Sequence, residues 1–144
     1  MNKNLPDKWV RKAVKLAVNN IVVNGKTIPC FDNRVTGRTI PLHYILMTTQ
    51  TADENKATKC ESRWEASILI DVVTTFKGTA NVGSRNLVDD IMDSVRNLTK
   101  ALVLDGASGL VIRNQTQDFP ADITSITKTQ NIFRKLMRIE MTIN

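Results

Sequence analysis

The side chains that most often carry enzymatic chemistry are sparse in this sequence. His43, the only histidine among the 144 residues, lies in an apolar run next to Tyr44, where a packed side chain is the simpler interpretation. Two pairs of adjacent carboxylates occur, Asp53-Glu54 and Asp89-Asp90, but neighbours in sequence point apart on a helix. The segment 106–109 lacks the spacing of a nucleophile elbow. We therefore expect no catalytic site, no enzymatic activity and no cofactor.

Metal-binding chemistry finds equally little support. The two cysteines, Cys30 and Cys60, stand thirty positions apart without CxxC or Cys/His spacing, which favours two reduced thiols over a disulfide. Asp89, Asp90 and Asp93 fall near the start of a predicted helix, where a solvated charged face explains them. We expect no metal site.

Basic charge is concentrated near the N-terminus. Residues 1–40 hold eight basic and two acidic side chains, whereas bases and acids balance from residue 41 onward. A helix is predicted at about 6–20, with one apolar side and one basic side. The basic side holds Lys8, Arg11, Lys12 and Lys15, and the apolar side holds Trp9, Val10, Ala13, Val14, Leu16 and Ala17. The basic stripe is either a solvated face or a contact for an acidic protein or a nucleic-acid backbone.

The longest alternation of apolar and polar side chains covers residues 60–76, which predicts a central strand of an antiparallel sheet. The apolar run at 43–49 predicts a strand that pairs with it. The polar segment 50–59 between them is expected to be a projecting loop.

The remaining segments complete an α+β fold. Asn24-Gly25 predicts a small hairpin, and Ser84 is expected to cap a second helix that runs to about Lys100. The apolar stripe of that helix is predicted to hold Leu87, Val88, Ile91, Met92, Val95 and Leu98. Strands are predicted at 110–117, near 123–127 and at 131–143. We expect residues 1–144 to form a single domain, an antiparallel sheet with both helices packed on one face.

This order of elements resembles the tail-completion and tail-terminator proteins of tailed bacteriophages. The likeness is carried by PLHYILM at 41–47, QTAD at 50–53, the long strand that ends in FKG at 76–78, a helix after Ser84, and FRKLMRIEM at 133–141. It spans nearly the whole chain. The sequence departs from the pattern in the Leu42-His43 pair and in a long region before Pro41.

The resemblance implies a structural virion protein of the phage neck or tail, assembled in the host cytoplasm. Such proteins are homo-oligomeric rings, often hexamers or larger, that join the head connector to the tail around a channel crossed by genomic DNA. No apolar run reaches the roughly 18 residues of a membrane span, so no membrane partner is expected.

Two groups of residues are candidates for these contacts. Those expected between subunits are Gln50, Thr51, Asp53, Glu54, Lys56, Lys59, Arg63, Glu65 and Asp71. Lys8, Arg11, Lys12 and Lys15 are candidates for an acidic neighbour or for DNA. The alternative function is a basic DNA-binding or DNA-packaging accessory protein that acts through the N-terminal helix.

Overall fold

The computed structural model of the protein describes residues 5–55, 63–78 and 83–144. The elements, in chain order, are α1 (Asp7–Val18), β1 (Ile21–Val23), β2 (Lys26–Ile28), β3 (Cys30–Asp32), β4 (His43–Asn55), β5 (Arg63–Lys77), α2 (Asn86–Leu98), β6 (Ile112–Ile126) and β7 (Gln130–Ile143). β1 and β2 form a two-stranded sheet. The other strands form a five-stranded sheet in the order β3-β4-β5-β7-β6.

The central place of β5 in this sheet is confirmed. It pairs antiparallel with β4 on one side and with β7 on the other. Ala66, Ile68, Ile70 and Val72 are buried at alternate positions, as the predicted period of two requires. β5 therefore supplies the middle of the hydrophobic core.

The sheet is mixed, so the expectation of a purely antiparallel sheet was wrong. Residues 30–32 pair parallel to residues 45–47, while the other pairings in the five-stranded sheet are antiparallel. Parallel strands begin at the same end of the sheet. The ten residues between β3 and β4 therefore lead the chain from the end of β3 back to the end of the sheet at which β3 begins. A three-residue strand is too short for its periodicity to be recognised in the sequence.

β4 is longer than predicted, because the segment expected to begin a projecting loop continues the strand. Gln50, Thr51, Asp53, Glu54 and Asn55 all lie in β4, and residues 50–55 pair with residues 63–68 of β5. The register shifts between Thr48 and Gln50. The polarity of this half of β4 reflects its exposed position on the sheet. Lys56 and Lys59 lie outside the described residues.

α1 ends at Val18, two residues before the predicted end, and its buried side chains are Val10, Ala13, Val14 and Val18. Leu16 was predicted on the apolar side and is instead 78% exposed. At roughly 100° per residue, Leu16 stands about 120° around the helix from Val10, beyond the edge of the buried stripe.

α2 matches its predicted buried stripe except at Leu98, which is exposed in the last turn. The expectation that Ser84 caps this helix was wrong, because Arg85 is the N-cap residue and makes no side-chain cap bond. The Ser84 hydroxyl, one position further out, accepts a hydrogen bond from the Asn86 amide at 3.3 Å. At the other end, Gln117 of β6 donates to the Arg96 carbonyl at 3.1 Å. A side chain distant in sequence thus satisfies one of the free carbonyls that a helix end leaves.

The tight turn between β1 and β2 follows from local chemistry. Asn24 and Gly25 have φ of 51° and 76°, the two positive angles that the predicted tight turn between β1 and β2 requires.

The two strands predicted at 110–117 and 123–127 are one strand, β6, whose register shifts between Asp118 and Ala121. Pro120 lies at this irregularity in an edge strand, the position in a sheet where proline is tolerated.

Within the described ranges, neither helix is long and apolar enough to cross a membrane.

Candidate interaction surfaces

One face of the five-stranded sheet makes side-chain contacts with the helices. Gln50 of β4 accepts a hydrogen bond from Arg11 of α1 at 2.6 Å, and Lys135 of β7 contacts Asp89 of α2 at 3.0 Å. Buried residues of both helices and of this face belong to one hydrophobic core cluster. The packing of both helices on one side of the sheet stays a prediction, with which these contacts are compatible.

We call the opposite side of the sheet the outer face. Strand pairing shows which side chains share this face. From β4 they are Tyr44, Leu46, Thr48, Thr51 and Asp53, and from β5 they are Arg63, Glu65, Ser67, Leu69, Asp71 and Val73. From β7 they are Ile132, Arg134, Leu136, Arg138, Glu140 and Thr142, and β6 adds Asp118. Several hydrogen bonds here join one strand to the next, for example Thr51 to Ser67 at 2.6 Å and Thr142 to Glu65 at 3.2 Å.

The half of the outer face nearer the start of β4 is apolar, with a single ion pair at its centre. The apolar half consists of Tyr44, Leu46, Leu69, Val73, Ile132 and Leu136. Asp71 projects among these side chains and is only 2% exposed. Arg134 donates to both of its carboxylate oxygens, with Nε at 3.4 and 3.2 Å and Nη2 closer still.

Asp71 was predicted as a subunit contact, and this stays a prediction, but its carboxylate is engaged within its own chain. The carboxylate is only 2% exposed and is bound to Arg134 of the same chain. The hydrogen bond to Asp71 raises the pKa of the Arg134 guanidinium. Burial raises the pKa of the Tyr44 phenol, Asp71 raises it further, and Arg134 opposes that effect. The charges of the apolar half are therefore balanced within it.

The other half of the outer face is polar, and the residues described for it include more acids than bases. The polar half holds four carboxylates, Asp53, Glu65, Asp118 and Glu140, and two guanidinium groups, Arg63 and Arg138. Asp53 stands directly opposite Glu65 in the pairing of β4 with β5, an arrangement that destabilises a sheet. Arg138 lies 3.8 Å from Asp118. Thr51, Asp53, Arg63 and Glu65 are exposed, and their predicted role between subunits stays a prediction.

Gln50 was also predicted as a subunit contact, and the structure shows that its side chain serves the chain's own fold. Besides accepting from Arg11, it donates to the Asp7 carbonyl at 3.0 Å, so it links β4 to the first turn of α1. Glu54 lies on the same helix-side face, because it pairs in register with Trp64. Only part of the predicted contact segment therefore faces outward.

The four predicted basic residues of α1 divide into two groups. Arg11 is directed towards the sheet, where its Nε lies 3.4 Å from Asp32. Lys8, Lys12 and Lys15 are exposed on the outer side of the helix, together with Leu16. We call these four residues the α1 stripe.

Two members of the α1 stripe have contacts within the chain. The ammonium of Lys8 lies 4.6 Å from the centre of the Trp9 ring, a cation–π geometry. Lys12 binds Asp105 at 2.5 Å, and this hydrogen bond lowers the pKa of the Asp105 carboxyl, as does the Ala107 amide. Since both groups of this pair are exposed, it leaves Lys12 accessible to a partner.

The sole histidine is packed against an aromatic ring. The His43 ring is 5.3 Å from that of Phe76, and its Nδ1 is buried without a hydrogen-bond partner among the described residues. Burial lowers the pKa of the imidazole, and Lys26 lowers it further. This environment favours the neutral ring and fits the predicted packed histidine.

Two features of these surfaces were missed by sequence reasoning. The Asp71–Arg134 pair was signalled by one acid inside the apolar run ILIDVV at 68–73 and by an arginine in the strand that pairs with it. The exposure of Leu16 was signalled by its position at the margin of the apolar stripe.

No protein-family model matches this sequence, and no curated protein matches it. The fold is similar to that of a chain in the solved structure of the virion of a native gene transfer agent (GTA) particle, with a TM-score of 0.61. The alignment covers 94% of this chain and 96% of that chain at 11% sequence identity. At this identity the likeness shows that the two chains share a fold.

Proposed function

We propose that this chain is a structural protein of a virion and that identical copies of it form a ring. The observation that carries the proposal is the match in fold over 94% of this chain to a chain of a gene transfer agent virion. Because 96% of that chain is covered as well, the correspondence concerns the whole subunit rather than a shared motif.

The place within the virion is proposed from the sequence. The likeness to tail-completion and tail-terminator proteins puts the ring at the neck or tail, between the head connector and the tail proteins, with genomic DNA passing through it. In this role the chain acts by its surfaces and catalyses no reaction. The packed environment of His43 against Phe76 is in keeping with that proposal.

The alternative is a DNA-binding accessory protein that uses the basic residues of α1. The contacts of Arg11 with Asp32 and Gln50 direct one of its four cations towards the sheet, which leaves the exposed lysines for phosphate binding. Binding through three lysines would weaken as salt is raised, with a slope of log K against log salt of roughly −2.7, which is shallower than for a protein with many phosphate contacts.

Sedimentation velocity and native mass spectrometry of the full chain separate the two functions. A ring protein is expected to give one discrete multiple of 16.1 kDa. A monomer that retards duplex DNA at low salt would favour the accessory protein instead. The matched control is a variant with Lys8, Lys12 and Lys15 changed to Gln, which should lose DNA retardation in the second case.

A further inference from the structure

The outer face combines two properties that call for a partner. In its apolar half Val73 is buried and the other apolar side chains are partly exposed, and none of the hydrogen bonds or ion pairs described for this half reaches a helix. The described residues of its polar half include an excess of carboxylates, with Asp53 and Glu65 directly opposite each other. A basic partner with an apolar anchor would relieve both features.

The α1 stripe has the complementary composition. Leu16 is 78% exposed, with Lys12 about one helical turn before it, Lys15 next to it in sequence, and Lys8 about two turns before it. Lys8 and Lys12 are four positions apart, Lys12 and Lys15 are three apart, and Leu16 follows Lys12 by four, so Lys12 links the lysines and Leu16 along the exposed side of the helix. The stripe is thus an aliphatic side chain within a field of positive charge.

We propose that the α1 stripe of one copy docks on the outer face of the next copy, so that the subunits stack front to back. This inference rests on the proposed ring and names the contact that builds it. Leu16 would lie against the apolar half, and the lysines would face the carboxylates of the polar half. Such a head-to-tail contact uses two different surfaces of each subunit, and it forms a ring when the rotation between copies closes.

The charges favour this front-to-back arrangement over contacts between two identical surfaces. Two outer faces brought together would place carboxylates against carboxylates, and two α1 stripes would place lysines against lysines. The front-to-back contact alone opposes the two signs. Charge pairing at the edge of such a contact sets its register and its rate of formation more than its affinity.

The Asp71–Arg134 pair makes the apolar half suitable for burial in this contact. An unpaired charge under a docked subunit would be costly, but Asp71 already has both oxygens bound by Arg134. Arg134 itself retains 39% of its side-chain exposure and can therefore still donate to an acceptor on the docked copy.

Two variants, each altered on one side of the contact, test the proposal. Leu16→Asp blocks the α1 stripe and leaves the outer face intact, whereas Glu65→Lys/Glu140→Lys reverses charges on the outer face and leaves the stripe intact. Alone, each should lose self-association, with the dissociation constant raised by at least about tenfold for the lost leucine contact. Mixed together, they should form a complex of two chains, twice 16.1 kDa, and nothing larger.

Val22→Asp is the matched control, because Val22 is an exposed aliphatic residue on β1, outside both surfaces. It should assemble as the wild type does. All substituted side chains are exposed, and far-ultraviolet circular dichroism with thermal unfolding checks that each variant is folded. The proposal is overturned if Leu16→Asp assembles normally, or if the mixture associates no better than its components.

Tyr44 supplies a readout that needs no substitution. It is the only tyrosine of the chain and lies in the apolar half. Its ring should be protected from nitration in the assembled wild type and become reactive when the assembly is dissociated by dilution. Equal reactivity in both states would place the contact elsewhere.

The results for the contact and for the proposed function can be told apart. Normal assembly of Leu16→Asp contradicts the proposed front-to-back contact but does not contradict the proposed virion ring. If the mixture forms a two-chain complex but the protein is absent from purified virions, the contact is supported and the proposed virion role is contradicted. Wild type and mixture that both stay monomeric overturn the contact, whatever the virion contains.

Discussion

Breaking the Asp71–Arg134 pair from its exposed side should destabilise the fold strongly. Arg134→Met removes the guanidinium and leaves a carboxylate that is 2% exposed without its cation. Loss of one partner of a buried ion pair costs about 3–5 kcal/mol, and the partial exposure of Arg134 puts the expected loss near the lower end. Asp71→Leu should cost less, about 1–2 kcal/mol, because the guanidinium left behind can turn towards water.

The double variant Asp71→Leu/Arg134→Met gives the sharper expectation. Since no charge is left in the apolar half, its free energy of unfolding should fall within about 1 kcal/mol of the wild-type value. The two single losses would then not add, and the double-mutant cycle would show a favourable coupling energy of about 3–5 kcal/mol.

Urea unfolding followed by circular dichroism measures these differences, in the Leu16→Asp background so that the proposed contact does not contribute. With a slope of about 1–3 kcal/mol per molar urea, a loss of 3 kcal/mol moves the midpoint by roughly 1–3 M. Arg138→Met is the matched control on the same strand and face, because Arg138 lies 3.8 Å from an exposed carboxylate. It should cost no more than about 1 kcal/mol. If Arg134→Met is no more harmful than Arg138→Met, the pair does not hold the apolar half together.

Three further predictions concern individual residues. Leu16→Ser should change the free energy of unfolding by less than about 0.5 kcal/mol, whereas Ile91→Ala in the buried stripe of α2 should cost about 2–5 kcal/mol, as measured by urea unfolding of both. Gly25→Ala should cost about 1 kcal/mol, because φ of 76° in the β1–β2 turn disfavours a Cβ; an unchanged thermal midpoint would show that the turn relaxes. Burial raises the pKa of the Cys30 thiol from 9.0 to about 11, so in a Cys60→Ser background it should resist alkylation at pH 8. As pH rises from about 9 to 11, the unfolded thiol ionises before the folded one, so stability should fall in that window, and Cys30→Ala should flatten the fall.

The parts of the fold that could be predicted are those with local signals. The alternation along β5, the 3.6-residue spacing along α2 and the Asn24-Gly25 turn each depend on residues close together in the chain. The confirmed elements are the ones in which periodicity and tertiary burial agree.

The parts that escaped prediction depend on contacts between distant residues. Gln50 reads as a loop residue because the contacts that fix it, with α1, lie 39 and 43 positions away. Asp71 reads as a solvent-facing residue because its cation is 63 positions away. β3 is too short to show an alternation of apolar and polar side chains. Its parallel pairing depends on the position of β4 in the sheet.

The surfaces were predictable in kind but not in detail. The sequence reasoning found the basic side of α1 and the outward-facing residues Arg63 and Glu65. It did not find the apolar half of the outer face, because the side chains that form it come from three strands. Which residues share a face is decided by strand register, and register needs the pairing partner.

Electron cryomicroscopy of purified virions, with quantitative mass spectrometry of their proteins, tests the virion role most directly. The result we predict is that this chain is present at a fixed copy number per particle, as a closed ring at the neck or tail. Particles of full composition that lack the chain, or that contain it at no defined position, would contradict the proposed function.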